Sequence, residues 1–317
     1  MSVLRVEGLN KTFAAGGMFK AIGKAKRAVI DTSFDLVAGE TLAIVGESGS
    51  GKSTTARLAM QLLAPDSGQI FWAGEDVTHL TGKALRSRRS HIQMVFQDPF
   101  ASLNPRMKIW ESVAEGLRVH RPDLTKAQRR TKVAETLALC GLDDSGMDRY
   151  PHQFSGGQRQ RIGIARALIV DPKVLVLDEP VSALDVSVQA QVLNLLKDIQ
   201  AAKNLAYLFI SHDLSVVRHI ADRVSVMFAG QVVEQGNAAD IFEHCAHPYT
   251  RALLDARPIT HPDERYRGDE VLVIGEGMSD TGCAYQPRCA FKQESCAGFD
   301  GELNAQGCAC LFPLNNQ

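Results

Sequence analysis

Residues 46–53 constrain the fold more strongly than any other stretch of this 317-residue chain. Their sequence, GESGSGKS, fits the pattern G-x-x-x-x-G-K-[ST], in which glycines let successive backbone N–H groups surround an anion without obstruction by Cβ atoms. The apolar run 41–45 predicts a buried strand before this loop, and residues 54–60 predict a helix after it. A strand, a glycine-rich loop and a helix N-terminus in this order predict a binding site for nucleotide phosphates.

Side chains of this phosphate loop add to the predicted site. Lys52 can reach the outer phosphates, and the Ser53 hydroxyl is a predicted ligand of Mg²⁺. Phe13, upstream of the loop, is a candidate platform for the base, although a core aromatic residue explains it equally well. The residues predicted to hold the nucleotide at the loop are Gly46, Glu47, Ser48, Gly49, Ser50, Gly51, Lys52, Ser53 and Thr54.

Composition and charge exclude other classes of protein. The 35 Lys and Arg residues against 36 Asp and Glu give a net charge of -1, without the basic excess of nucleic-acid-binding proteins, so no nucleic-acid partner is expected. No apolar run approaches the roughly 20 residues that span a bilayer, and the first residues lack a signal-peptide pattern. We therefore expect the chain to remain in the cytoplasm.

Three further predicted strands end in polar side chains, as strands do at the ligand site of α/β folds. Gln97 ends one apolar run, Asp178 and Glu179 end the second, and His212 follows the third. Asp178 suits a Mg²⁺ ligand, and Glu179 suits a base that orients or deprotonates the water attacking the γ-phosphate. The alternatives are two solvated acids and a structural histidine.

A second helix start follows Phe154. Ser155 suits an N-cap, and the residues after it continue as a helix with one apolar face. Gly156 and Gly157 weaken a helix start unless something must approach the backbone closely, whereas a plain helix cap explains only the serine. The pattern therefore predicts N–H donors open to an anion.

The order of predicted elements indicates an α/β fold with additions. Short alternating stretches at 4–6 and 33–37 predict strands of a small antiparallel sheet, with a surface loop over 14–27 between them. Residues 101 to about 140 are mostly helical in pattern, and 159–170 predict a further helix. Together they indicate an inserted helical subdomain over about 100–170. Residues 224–233 predict a closing β-hairpin.

Five of the seven cysteines lie in the C-terminal tail, which in a reducing compartment indicates metal binding. Cys283, Cys289 and Cys296, with Cys308 or Cys310, supply the four thiolates of an iron–sulfur cluster or a tetrahedral zinc site. The spacing lacks the tight C-x₂₋₄-C pairs common in zinc sites, which favours iron and sulfur. Unliganded thiols are the remaining alternative.

In order and spacing, these motifs resemble the nucleotide-binding subunits of ATP-binding cassette (ABC) transporters over residues 1 to about 240. The resemblance implies that Gln97, Glu179 and His212 act in ATP hydrolysis, and that Gln97 joins Ser53 and Asp178 around Mg²⁺. The implied fold is a P-loop NTPase core of RecA-like type, with an antiparallel β subdomain, an inserted α-helical subdomain and a small cysteine-rich C-terminal extension. The residues of the signature sequence and D-loop implied to contact nucleotide are Ser155, Gly156, Gly157, Gln158 and Asp185.

The stretches 96–106 and 247–254, and the cysteine pattern of the tail, are similar to the oligopeptide and dipeptide importer branch of that family. Some members of the branch carry a [4Fe-4S] cluster, and Cys310 aligns better than Cys308 with the last ligand. Phe154 replaces the usual leucine and Phe13 a common tyrosine, and both changes keep apolar or aromatic character.

The resemblance implies an ATPase domain over 1–245, a C-terminal extension over 246–317, and ATP hydrolysis coupled to uptake of di- or oligopeptides. The implied partners are a second, related ABC ATPase subunit, two transmembrane permease subunits and a periplasmic or extracellular solute-binding protein. They would hold the chain at the cytoplasmic face of the inner membrane. The alternatives are transport of another cargo, such as nickel, glutathione or an antimicrobial peptide, and a non-transport ABC ATPase. The latter class carries long insertions that are absent between Gln97 and Ser155.

Overall fold

The computed structural model describes residues 2–14, 25–98, 101–256, 277–279 and 281–314. The strands in these ranges are β1 (Ser2–Phe13), β2 (Lys26–Val37), β3 (Thr41–Val45), β4 (Ser67–Trp72), β5 (Glu75–Asp76), β6 (Ile92–Val95), β7 (Val174–Asp178), β8 (Ala206–Ser211), β9 (Arg223–Phe228) and β10 (Gln231–Asn237). The helices are α1 (Lys52–Ala59), α2 (Gly82–Arg88), α3 (Ile109–Val113), α4 (Glu115–His120), α5 (Lys126–Leu139), α6 (Gly156–Leu168), α7 (Val186–Lys203), α8 (Leu214–Ile220), α9 (Ala238–His244) and α10 (Pro248–Asp255).

The predicted antiparallel sheet is confirmed, with strand order β2-β1-β4-β5. Its first two strands are 12 residues long, far longer than the predicted stretches. Register shifts between them interrupt the alternation of apolar and polar side chains, so the sequence pattern shows only fragments of each strand. Lys26 and Arg27, predicted in a loop, begin β2, and residues 15–24 of that loop lie outside the described residues.

The second sheet has the order β10-β9-β3-β8-β7-β6, and all its neighbours are parallel except β10 and β9. Every residue of β3, β7 and β8 is buried, because helices or the other sheet cover both faces. Ala43 and Val45 point into one hydrophobic cluster and Leu42 and Ile44 into the other. This alternation explains why the sequence shows continuous apolar runs here.

Helices α3 to α6 form the predicted helical region and share one core with the parallel sheet. Trp110 of α3, Val133 of α5 and Ile162 of α6 are all buried in that cluster. Three short helices, α2, α8 and α9, have no counterpart among the sequence predictions, since seven residues give too few turns for a visible apolar period. None of the helices in the described ranges is long and apolar enough to cross a membrane.

The C-terminal extension is joined to the edge of the parallel sheet. Ala309 N–H donates to the Val233 carbonyl at 2.8 Å, and Gln235 N–H donates to the Gly307 carbonyl at 2.8 Å. These bonds continue the ladder beyond β10, so the extension covers an edge that would otherwise present unpaired backbone groups.

A buried hydroxyl ties α7 to the centre of the sheet, because Tyr207 of β8 donates to the Leu196 carbonyl at 2.8 Å. We expect Tyr207→Phe to lower the free energy of unfolding by about 1 kcal/mol through loss of this buried bond. Urea unfolding measures the change. Tyr150→Phe, which alters a tyrosine at the surface, is the control and should leave the free energy of unfolding nearly unchanged; equal losses would contradict the assignment.

Candidate functional site: a phosphate loop beside two strand-end acids

The phosphate loop connects β3 to α1 and is shaped by close backbone contacts. Gly46 has φ +149°, and a Cβ atom there would lie 2.1 Å from the carbonyl oxygen of Met227, which ordinary contacts do not allow. Gly230 N–H donates to the Ser50 carbonyl at 2.8 Å and anchors the middle of the loop to the turn after β9. The loop is therefore held against the end of β9, and Gly46 is needed because a side chain would meet the Met227 carbonyl.

Lys52 lies across the loop that precedes it. Its Nζ donates to the carbonyl oxygens of Gly46 and Glu47 at 2.7 and 2.8 Å, and the residue is only 5% exposed. Burial lowers the pKa of Lys52, while the carboxylates of Glu179 and Asp178 oppose that shift. The ammonium thus lies close to both strand-end acids, in a place where phosphate oxygens would offset its desolvation.

Two of the three side chains predicted to hold Mg²⁺ are in direct contact, although they lie 125 positions apart in the chain. Ser53 Oγ donates to Asp178 Oδ1 at 3.0 Å. Burial raises the pKa of Asp178, and the hydrogen bond from Ser53 and the charge of Arg57 act against the rise. A hydroxyl and a carboxylate at one point fit Mg²⁺, which binds oxygen ligands and would relieve the burial of the negative charge.

Glu179 lies between the other two predicted catalytic side chains. Its Oε2 accepts a hydrogen bond from Gln97 Nε2 at 2.9 Å, and its Oε1 lies 3.0 Å from His212 Nδ1. An ionised carboxylate only accepts, so with Glu179 ionised this contact requires the tautomer that has its proton on Nδ1. The backbone of Glu179 is left-handed, with φ +48°, and its N–H donates to the Ile210 carbonyl at 3.0 Å. The strained turn directs the carboxylate toward its two partners.

Gln97, predicted both to act in hydrolysis and to bind Mg²⁺, has its amide nitrogen bound to Glu179. The structure thus groups Gln97 and His212 with Glu179, and Ser53 with Asp178. Lys52 lies near both acids.

Phe13 is 43% exposed at the end of β1, so it is not a core aromatic residue. It pairs in register with Lys26, whose Nζ lies 3.9 Å from the place of a Cβ atom on Gly49. An exposed aromatic ring therefore stands on the strand pair that borders the phosphate loop. Lys26 was not predicted near the site, because it lies at the end of a stretch with no regular pattern.

The signature residues begin α6 as predicted. Ser155 and Gln158 form a reciprocal cap, in which each side-chain oxygen accepts from the other's backbone N–H. A Cβ atom on Gly157 would lie 2.5 Å from Val188 Cγ1, so packing against α7 by itself favours glycine at this position. Asp185 lies exposed at the start of α7. Within the described ranges, no hydrogen bond or ion pair links these residues to the phosphate loop.

Four of the five tail cysteines line one cavity, and its other walls are largely apolar or aromatic. They are Cys283, Cys289, Cys296 and Cys310. Burial raises the pKa of Cys310 to about 11, and the other three thiols also act to raise it, so the four sulfurs are near one another. Cys308 is not among the residues that line the cavity; it is buried, and Glu234, Cys310, Cys245 and Cys283 are all near enough to act on its pKa.

The described side chains include no group of three or more His, Cys, Asp or Glu that could hold a metal ion. The cavity brings together the four predicted thiols Cys283, Cys289, Cys296 and Cys310.

Two residues of the C-terminal part reach the phosphate loop and were not predicted to do so. Tyr249 Oη accepts from Glu47 N–H at 2.9 Å, and the Arg288 guanidinium contacts both carboxylate oxygens of Glu47 at 2.7 and 2.9 Å. Both lie more than 200 positions away along the chain, where no local sequence signal points to the loop.

Together, the fold and the site define a P-loop nucleoside-triphosphate hydrolase of α/β type. A phosphate loop follows a buried strand, paired acids end a neighbouring strand, and an amide and an imidazole hold the second acid.

Comparison with known proteins places this site in one family. The model of the family "ABC transporter" matches residues 29–182, and that of "Oligopeptide/dipeptide transporter, C-terminal region" matches 233–296. The chain is 46% identical to the oligopeptide transport ATP-binding protein OppF of Haemophilus influenzae, over 94% of this chain and 92% of the relative. It is 48% identical to the dipeptide transport ATP-binding protein DppF of Escherichia coli, over 92% and 87%. The chain therefore belongs to the ABC transporter ATPases, in their oligopeptide/dipeptide branch.

Solved structures confirm the predicted fold class. A dimeric post-hydrolysis structure of the ATP-binding cassette MJ0796, bound to ADP and Pi, superimposes with a TM-score of 0.66 at 27% identity, covering 74% of this chain and 98% of that one. The cbiO1 structure from Clostridium perfringens, part of an ABC transporter complex, gives 0.66 at 30% identity, covering 77% and 91%. Both likenesses extend over most of each solved chain.

The buried carboxylate of Asp178 yields a test in the absence of nucleotide and metal. Burial raises the pKa of Asp178 in the folded state, so the ionised carboxylate lowers the free energy of unfolding. This loss of stability develops as the pH rises through the range in which Asp178 titrates. We expect Asp178→Asn to raise the free energy of unfolding at neutral pH by about 1 kcal/mol, with a smaller gain in acid. The same change should lower magnesium-dependent ATP turnover by about a hundredfold or more.

Asp198→Asn, on the exposed face of α7, is the matched control for this substitution. It should change neither quantity, since the Asp198 carboxylate is already hydrated. An Asp178→Asn variant that is less stable than the wild type at neutral pH would contradict the expected cost of the buried charge.

Proposed function

We propose that this chain binds and hydrolyses ATP as the nucleotide-binding subunit of an importer of di- or oligopeptides. The observation that carries the proposal is the grouping of Lys52, the Ser53–Asp178 pair and the Glu179 carboxylate at one sheet edge. Each of these side chains suits a separate part of phosphoryl transfer to water.

In the proposed mechanism, the loop N–H groups and the Lys52 ammonium hold the phosphates. Ser53 and Asp178 would hold Mg²⁺, which would supply positive charge that neutralises the phosphate oxygens. Glu179 accepts a proton from the attacking water, while Gln97 and His212 keep its carboxylate in place through their hydrogen bonds. Phe13 offers an exposed ring for the base.

We further propose that a second ABC ATPase subunit completes each nucleotide site. The helix start at Gly156 and Gly157 has N–H donors suited to a γ-phosphate, and in the described part of the chain it makes no hydrogen bond to the chain's own loop. The MJ0796 structure is described as dimeric, which supports pairing of two such chains. A related but different partner chain is the form we favour, with the exposed Asp185 near the shared surface.

The cargo and the remaining partners are inferred from the named relatives, which are oligopeptide and dipeptide transport ATP-binding proteins. Two permease subunits and a solute-binding protein would complete the importer, with this chain on the cytoplasmic side of the inner membrane. A nickel, glutathione or antimicrobial-peptide transporter is the alternative. Copurification with the neighbouring subunits, followed by identification of the bound solute, separates these cargoes.

For the tail we propose a [4Fe-4S] cluster held by Cys283, Cys289, Cys296 and Cys310. The four thiols line one largely apolar cavity, and Cys308 is not among its lining residues. A single zinc ion needs its sulfurs within about 2.3 Å of one point, whereas a cluster binds each thiolate through a different iron. Its proposed role is structural, because it would crosslink a short extension with little core of its own.

The role of Glu179 is tested by Glu179→Gln. The amide keeps the size of the side chain but cannot take a proton, so we expect ATP binding to persist while turnover falls by about 10²- to 10⁴-fold. Lys52→Ala should instead weaken ATP binding itself. Turnover in the assembled transporter and equilibrium nucleotide binding measure the two effects. Glu135→Gln, on α5, is the control, and wild-type turnover in Glu179→Gln would refute the assignment.

Two serine substitutions test the cluster and its fourth ligand together. Anaerobically purified protein should be brown and contain about four irons per chain with matching acid-labile sulfide. Cys289→Ser and Cys310→Ser should lose both, while Cys308→Ser should keep them. Colourless protein with one zinc per chain would replace the cluster by a zinc site, and protein without either metal would remove the proposal.

A further inference from the structure

Glu47, the second residue of the phosphate loop, has all its polar groups engaged. Its N–H donates to Tyr249 Oη at 2.9 Å, and its carbonyl accepts from Lys52 Nζ at 2.8 Å. Its carboxylate accepts hydrogen bonds from both Nη1 and Nη2 of Arg288, at 2.9 and 2.7 Å. The Glu47 carbonyl also accepts from Ser50 N–H at 3.1 Å. The backbone and the side chain of one loop residue are thus both held, by Ser50 and Lys52 from within the loop and by Tyr249 and Arg288 from outside it.

The two partners outside the loop belong to the C-terminal part and are themselves firmly placed. Tyr249 is fully buried on α10, with its ring centroid 4.6 Å from that of Phe228 and 5.3 Å from that of Tyr285. The Arg288 guanidinium lies 5.5 Å from the ring centroids of both Phe228 and Tyr285. Aromatic packing therefore holds the Tyr249 hydroxyl and the Arg288 guanidinium in place beside Glu47.

We propose that Arg288 and Tyr249 are positioning residues for ATP binding, which makes the C-terminal extension a working part of the nucleotide site. The inference rests on the proposed ATP-binding function but not on the identity of any metal in the tail. It is distinct from the catalytic assignments, because neither residue contacts Lys52, Asp178 or Glu179 in the described hydrogen bonds and ion pairs.

The first reason is the entropy of the loop. A glycine-rich segment loses much conformational freedom when its N–H groups converge on phosphates, and that loss weakens binding unless the loop is ordered beforehand. Holding Glu47 through both its N–H and its carboxylate orders the loop between Gly46 and Lys52 in advance. It also keeps the Glu47 carbonyl where Lys52 Nζ contacts it.

The second reason is charge. A carboxylate inside a loop that binds phosphates repels the ligand unless a cation compensates it. Arg288 contacts both oxygens of Glu47 through a planar guanidinium, and the hydrogen bonds to Glu47 raise the pKa of Arg288 further. The charges of Glu47 and Arg288 cancel, so the charge of Lys52 remains available to the nucleotide.

The position of Arg288 links its contact with Glu47 to the cysteine cavity. Arg288 ends the short helical turn Gln286–Arg288, and Cys289, one of the cavity-lining thiols, follows it directly. Tyr285, which contacts the guanidinium, also lines that cavity. Any change that rearranges the cavity would therefore move the group that holds Glu47.

The test measures ATP affinity of the full chain by equilibrium titration with a fluorescent ATP analogue and Mg²⁺, for Arg288→Met, Tyr249→Phe, Glu47→Gln and the double variant Glu47→Gln/Arg288→Met. We expect Arg288→Met and Tyr249→Phe each to weaken binding by about fivefold. The double variant should bind no more weakly than Arg288→Met, because both changes break one contact. In the assembled transporter, KM for ATP should rise while kcat stays within about twofold.

Lys292→Ala is the matched control, since it removes an exposed cation of the same extension four residues beyond Arg288. It should leave ATP affinity unchanged. Arg288→Lys, which keeps the charge, should recover part of the affinity and covers the case in which Arg288→Met does not fold.

Two results would overturn the inference while leaving the proposed function intact. One is wild-type ATP affinity in Arg288→Met and Tyr249→Phe, whatever their melting temperatures, which would make the extension purely structural. The other is an additive loss in the double variant, or an equal loss in Lys292→Ala, which would show that Arg288 acts through general charge. Failure of the wild-type chain itself to bind ATP would refute the proposed function instead.

Discussion

Parallel pairing of β3, β8 and β7 is the constraint on which both the core and the site depend. Val45 pairs with Ser211, and Asp178 pairs with Ile210, so the carboxyl ends of the three strands meet at one edge. A slip of one residue would exchange the two faces of a strand and misplace the polar residue that follows it. The register is secured because the strands are buried on both faces, where Leu42 and Ala43 enter different cores.

Bringing these strand ends together buries charged side chains, which costs free energy while no ligand is bound. Burial lowers the pKa of Lys52 and raises that of Asp178, so each charged form is disfavoured by its surroundings. The two groups offset part of each other's cost, and Ser53 offsets more through its hydrogen bond. Phosphate and a divalent cation would supply the missing opposite charges, so the cost is a form of preorganisation for that pair of ligands.

The sequence predicted the central unit well because its signals are local. A buried strand, a glycine-rich loop and a helix start lie within 20 residues around Lys52, and the apolar runs before Asp178 and Ser211 are continuous. Where pairing is irregular the prediction was poorer: bulges divided the pattern of β1 and β2, and short helices such as α8 showed no period. The glycine pair at 156–157 predicts an approaching ligand, but the close contact of Gly157 with Val188 is a second reason for a small residue there.

Contacts between distant parts of the chain could not be predicted, because no periodicity relates them. Nothing in the sequence indicates that Arg288 and Tyr249 contact Glu47, because only the tertiary structure brings these distant positions together. The division of Cys308 and Cys310 between two environments has the same origin. Both are near the edge of β10, but only Cys310 lines the cavity, while Cys308 pairs across a bridge with Glu234.

The end of β9 explains why the tail and the phosphate loop behave as one structure. The Met227 carbonyl lies where a side chain on Gly46 would be, and the next residue, Phe228, packs its ring against Tyr249 and Tyr285. One strand end therefore supports the loop with its backbone and the extension with its side chain. Because close-packed groups shift together rather than deform independently, a displacement of the aromatic cluster would be passed to the loop through both β9 and Glu47.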